Sequence, residues 1–257
     1  MKFEDMINTI QLGDCYELIK QIPDKSIDLI VTDPPYLIEN TKAGGHSQLA
    51  KSIQGMNDEI KEKNLTTSID TKILSEFVRV MKNINIYIWC NHKQIPMYLD
   101  YFASKLECAF DIIIWNKTNA MPLFNNKYMT DKEYCLYFRK GGYCNPPDYE
   151  SAKTVYYQPI NVTDKTMYNH PTIKPQNIIE NLIKNSSKPD EIVLDTFVGS
   201  GTTCVAAKEL GRKYIGFEID KEYYKTAVNR LNGITANGQL SLFTNTKEME
   251  SEIKNEK

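Results

Sequence analysis

Short apolar runs alternate along this chain with stretches of helical periodicity, and few folds accept that rhythm. Residues 9–12, 28–32, 84–90, 111–115, 134–138, 192–195 and 213–217 read as strands. Helical patterns fall between them at 16–22, 71–81, 94–106, 175–185, 202–210 and 221–231. Runs such as Leu29-Ile30-Val31 and Ile192-Val193-Leu194 have no polar alternate, so both of their faces need cover. A parallel sheet between two helix layers gives that cover. The pattern predicts an α/β, Rossmann-like fold, a doubly wound and mostly parallel sheet of seven strands. Residues 111–115 and 134–138 would form an antiparallel hairpin at one edge.

Two strand ends stand out. Asp33-Pro34-Pro35-Tyr36 leaves the 28–32 strand at its carboxyl end, where reactive groups collect in open α/β sheets. Two prolines fix φ and remove two N–H donors, so the turn is rigid. It presents a carboxylate, the Pro34 carbonyl and an aromatic ring in a fixed array. That set suits a flat heterocycle bearing an amino group. A plain proline turn with an Asp cap is the alternative. The second strand end runs from Asp195 through Thr196, Phe197, Val198, Gly199, Ser200 and Gly201 to Thr202 and Thr203, then into a helix that stops at Gly211. Strand, glycine turn and helix let backbone approach a ligand closely. There is no Gly-Lys-Ser/Thr, however, and the three-glycine dinucleotide fingerprint is incomplete. Glu218 closes the next strand roughly twenty residues on, where an acid can accept ribose hydroxyls. A ribose site without a phosphate cradle points to S-adenosylmethionine.

With these residues in view, the chain resembles the S-adenosylmethionine-dependent amino-methyltransferases of DNA, in the permuted β-class, over about residues 13–231. Gly13-Asp14 is similar to the family's adenine-contacting segment, Asp33–Tyr36 to its catalytic tetrapeptide, and Trp115–Asn119 with Pro122 to the segment beside the flipped base. His170–Pro175 is similar to the block around the methionine end of the cofactor, and Phe197–Thr203 to the cofactor loop. The resemblance implies catalysis by Asp33, Pro34, Pro35 and Tyr36. It implies cofactor binding by Asp14, Lys174, Asp195, Phe197, Gly199, Ser200, Gly201, Thr202, Thr203 and Glu218. Lys174 could instead close a helix start, and Trp115 reads as core packing before base stacking. Lys117 and Asn119 would line the DNA path. Asp at the first tetrapeptide position goes with adenine N6 among relatives, and Ser with cytosine N4. Asp33 thus implies adenine N6, with transfer to cytosine N4 as the first alternative; transfer to RNA or to a protein glutamine, or a DNA-binding regulator without catalysis, are the other readings.

The domain reading follows the same order. Residues 1–140 form the catalytic half, 141–169 a small inserted target-recognition region, 170–232 the cofactor half and 233–257 a flexible tail. The polar stretch 37–68 would be a DNA-contacting loop. Net charge is −2, yet residues 117–174 carry eight Lys/Arg against five acids, an excess of +3 where DNA would lie. Six scattered cysteines without a C-x-x-C pair read as reduced thiols of a cytoplasmic protein, and three histidines share no ligand spacing, so no metal is expected. No apolar run reaches the length of a membrane span. In the tail, Gln239-Leu240-Ser241-Leu242-Phe243 resembles peptides that dock on the bacterial sliding clamp through Gln239, Leu240, Leu242 and Phe243; packing on its own domain is the alternative. Duplex DNA is the expected partner, and the reading also admits a homodimer.

Overall fold

The computed structural model describes residues 2–37, 54, 58, 69–122, 126, 128–160, 162–168, 172–235 and 238. The clamp-like peptide 239–243, His170-Pro171 and nearly all of the 37–68 stretch lie outside them. Among the described residues, eight strands form one sheet in the order β1-β8-β7-β2-β3-β5-β4-β6. They are β1 Thr9–Leu12, β2 Leu29–Thr32, β3 Ile84–Cys90, β4 Ala109–Lys117, β5 Lys132–Lys140, β6 Val155–Gln158, β7 Ile192–Asp195 and β8 Lys213–Glu218. Only β5 runs antiparallel to its neighbours, β3 and β4. The sequence gives seven strands and an edge hairpin. The structure adds β6, which pairs parallel with β4, so β4 and β5 are interior strands. Four residues inside a Pro- and Gly-rich stretch carry too short a period to be read as a strand. The inserted region is thus built into the sheet.

The helices are α1 Phe3–Met6, α2 Cys15–Leu18, α3 Lys72–Val80, α4 Ile95–Tyr98, α5 Val162–Tyr168, α6 Gln176–Ser186, α7 Thr202–Glu209 and α8 Lys221–Leu231. The helix begun at α4 continues as a π turn, Leu99–Lys105. Strand side chains alternate between two cores. Ile30, Ile86 and Ile88 meet Ile73, Phe77 and Phe102 on one face. Val31, Tyr87 and Trp89 meet Ile178, Leu182 and Ala206 on the other. Crossovers from β2 to β3 and from β7 to β8 leave in opposite directions from the central β2–β7 pair. The crevice outside those two carboxyl ends is where such sheets hold ligands.

Candidate active site

The crevice opens into one cavity of about 400 Å³. Asp33, Pro34, Pro35 and Tyr36 line one end, and Asp14, Phe197, Gly199 and Glu218 the other. Two segments far apart in sequence therefore share one pocket. Lys174, Asp195, Ser200, Thr202 and Thr203 line it as well. Gly201 does not. It caps α7 at φ 85°, a left-handed conformation, and a Cβ there would lie 3.1 Å from both Cα and Cβ of Ala227. Glycine is needed at that point to turn the chain closely past α8.

The ends of β2 and β7 are locked together. Thr32 Oγ1 donates to Asp195 Oδ1 at 3.0 Å, and Phe197 N–H donates to the same oxygen at 3.1 Å. Asp195 thus holds the glycine turn. Burial pushes its carboxyl up to about 7, against the pull of those hydrogen bonds. The proline turn is held from β3's exit, where Gln94 Nε2 donates to the Pro35 carbonyl at 3.1 Å and Asn91 Nδ2 to the Leu37 carbonyl at 2.8 Å.

Lys174 has partners that its sequence context does not announce. The sequence reading leaves it between the cofactor pocket and a helix start; in the structure it lines the cavity, its ammonium pairs with Asp33 Oδ2 and it lies 3.1 Å from Glu133 Oε2. Lys117 Nζ pairs with Glu133 Oε1 at 2.5 Å, and Tyr36 Oη donates to Glu133 Oε2 at 3.3 Å. The result is a row of alternating charges, Asp33, Lys174, Glu133, Lys117, in which every side chain is at most 28% exposed. Burial would raise Glu133, but Lys174 and Lys117 together hold it down to about 2. For Asp33, burial wins: its carboxyl is raised, with Lys174 opposing and the nearby Glu133 charge adding to the rise. Two cations serve Glu133 and one serves Asp33, which accounts for the difference. Lys174 Nζ also sits 5.3 Å from the centroids of Tyr36 and Trp89, so its charge rests on two aromatic faces.

Asp33 Oδ1 is buried with no hydrogen-bond partner among the described residues. An acceptor left open beside a cavity is costly unless a ligand fills it. At the other end Glu218 accepts from Gly199 N–H at 2.7 Å and Asp220 N–H at 2.8 Å. Those bonds use two of the roughly four acceptor positions of a carboxylate, leaving room for a diol. Asp14 caps α2 by accepting from Tyr16 N–H at 2.9 Å and is itself part of the cavity's lining. The set fits a nucleoside at one end and an amino-bearing ring at the other. Trp115 is packed, 2% exposed, with its indole N–H on the Gln158 carbonyl at 2.9 Å. Lys117 serves Glu133, and Asn119 holds the Ile160 N–H at 2.6 Å. The sequence reading counts Glu133 only among the five acids of 117–174 and gives it no role in the site; its one sign is an acid at the mouth of the apolar run 134–138.

A sequence model of the family described as DNA methylase matches residues 27–229. The Type II methyltransferase M.HinfI of Haemophilus influenzae is 31% identical over 91% of this chain and 70% of its own. M2.LlaDCHI of Lactococcus lactis subsp. cremoris, also named a Type II methyltransferase, is 34% identical over 86% of this chain and 87% of its own. Among solved structures, the M1.HpyAVI–SAM complex superposes with a TM-score of 0.62 at 26% identity, covering 87% of this chain and 98% of that one.

Proposed function

The chain belongs to the DNA methylase family, and from that membership we propose that it methylates the N6 amino group of adenine at a specific site in duplex DNA, with S-adenosylmethionine as donor. The observation that carries the residue roles is the open Asp33 Oδ1, a buried acceptor on a residue that lines the cavity. Asp at this tetrapeptide position favours adenine over cytosine N4 by resemblance; the chemistry of the turn accepts either amine.

The bound cofactor supplies an electrophilic methyl group on a sulfonium. The chain's part is placement, since holding donor and amine in line supplies in advance the orientation that a free encounter has to find. A stacked base cannot enter the pocket, so the target is extruded at a cost of a few kcal/mol. Tyr36 stacks on it and offsets about 1–3 kcal/mol of that cost. Asp33 Oδ1 and the Pro34 carbonyl accept the two amine hydrogens, which turns the nitrogen lone pair away from the ring and stabilises the charge forming there. Lys174, holding Asp33 Oδ2, fixes which oxygen faces the base. Asp33 or water removes the proton after transfer. Glu218 and Asp14 take the ribose and adenine of the donor, and Phe197–Thr203 its methionine end.

Incubation with labelled S-adenosylmethionine and duplex DNA, followed by digestion to nucleosides, tests this. N6-methyldeoxyadenosine is the expected product. N4-methyldeoxycytidine would reassign the base, and label found only on RNA or protein would remove the DNA reading. The excess of lysine around 117–174 and the tail peptide Gln239–Phe243 support, respectively, duplex contact and a clamp partner. Pairing of two copies stays part of the same proposal, to be read from sedimentation.

A further inference from the structure

Arg230, near the end of α8, is a buried cation that the site chemistry leaves unused; its side chain is 2% exposed. Nη1 donates to Thr202 Oγ1 at 2.8 Å and to Ser200 Oγ at 3.3 Å, both in the glycine turn. Nη2 donates to Gln176 Oε1 at the start of α6 at 3.1 Å. Its guanidinium carbon stands 4.7 Å from the centre of the Tyr168 ring, and Nη2 lies 3.8 Å from Asp164 Oδ2. Asp164 and Tyr168 are one turn apart on α5, so they present the same face.

α5 contains no buried residue, and its one aliphatic residue, Val162, is 63% exposed. Its apolar contact among the described residues is slight, with Met167 and the Tyr168 ring only half-buried. Two of its polar side chains, Asp164 and Tyr168, meet at one guanidinium, while Lys165 lies within electrostatic reach of Glu133, Lys117 and Lys174. A buried ion pair is weak support for stability, since an apolar side chain of like size often serves as well. What an arginine does here that leucine cannot is bond two elements at once through planar, divergent N–H groups.

We propose that Arg230 is a positioning residue that links occupancy of the cofactor pocket to the inserted target-recognition segment. A nucleoside thioether or sulfonium that orders Ser200–Thr202 fixes the guanidinium, and the fixed guanidinium holds α5 through Asp164 and Tyr168. The proposal rests on the reading of Phe197–Thr203 as the cofactor loop. It assigns to α5 an ordered state that follows donor binding, so that the donor-loaded enzyme presents the insert to DNA.

Amide hydrogen exchange over 162–168 in the full chain, with and without saturating S-adenosylhomocysteine, reads this directly. Exchange there should slow about fivefold or more on binding, the lower end of ordinary coupling between sites. In Tyr168→Ala and in Arg230→Lys the slowing should fall below about twofold. Tyr168→Ala does not touch the cavity, so calorimetry should still show thioether binding, weakened by no more than the coupling factor that the parent's exchange reveals. A parent chain that binds the thioether without protecting 162–168 overturns the proposal, as does Tyr168→Ala with undiminished protection. Absence of binding to the parent removes the cofactor reading and this proposal together, and calorimetry reports that outcome separately.

Discussion

Replacing Glu133 by Gln keeps the shape of the side chain and deletes the charge that Lys174 and Lys117 share. In the folded chain those lysines hold Glu133 at about 2, below its ordinary 4.5. A depressed carboxylate contributes stability that is present above its unfolded value and lost as pH falls through its folded value. The gap converts to about 3 kcal/mol, fully expressed near neutral pH and fading between about 4.5 and 2. Urea unfolding of Glu133→Gln should therefore lie about 3 kcal/mol below the parent at pH 7, with the difference shrinking toward pH 3.

The same change has an opposite sign at Asp33. The Glu133 charge raises the Asp33 carboxyl, and Lys174 lowers it. Without Glu133, Lys174 belongs to Asp33 alone, and the carboxyl becomes easier to ionise. The acid limb of kcat/KM, which reports the free enzyme, should move to lower pH in Glu133→Gln even as maximal activity falls. Methyl transfer to duplex DNA measured from pH 5 to 9 checks it. An acid limb that stays put or moves upward would refute the charge row as described, as would a loss below about 1 kcal/mol at pH 7.

Asp33→Ala should abolish methyl transfer while calorimetry with S-adenosylhomocysteine shows affinity within about threefold of the parent, because Asp33 faces the base end of the cavity. Asp195, raised by burial to about 7, contributes stability that is whole below its unfolded value and lost as pH rises through 7; the parent should lose up to about 4 kcal/mol between pH 4 and pH 8, and Asp195→Asn should show a flatter profile in urea melts. Gly201→Ala meets both a positive φ and Ala227 at 3.1 Å, so it should cost about 1–3 kcal/mol in thermal unfolding and weaken thioether binding. Leu242→Ala with Phe243→Ala should remove capture of the chain by immobilised sliding clamp; no capture of the parent ends that idea.

What could be read from the sequence was what the chain encodes locally. Asp33-Pro34-Pro35-Tyr36 and Gly199-Ser200-Gly201 each carry their geometry within a few residues, since proline and glycine set backbone angles wherever they stand. Both therefore came through, along with the strands they follow. The charge row did not. Asp33 and Lys174 are 141 positions apart, and Glu133 enters from β5, the one strand that runs against the rest. Because β5 is reversed, its first residues lie level with the last residues of β3. Cys90 pairs with Tyr134, and the next residue toward the strand's start, Glu133, reaches the active end of the sheet. Had β5 run parallel, that end would hold Lys140 and face the Asp33 carboxylate with a different charge. An acid at the amino end of one antiparallel strand is thus the device that gives Lys174 two carboxylates to bridge, and only the topology exposes it.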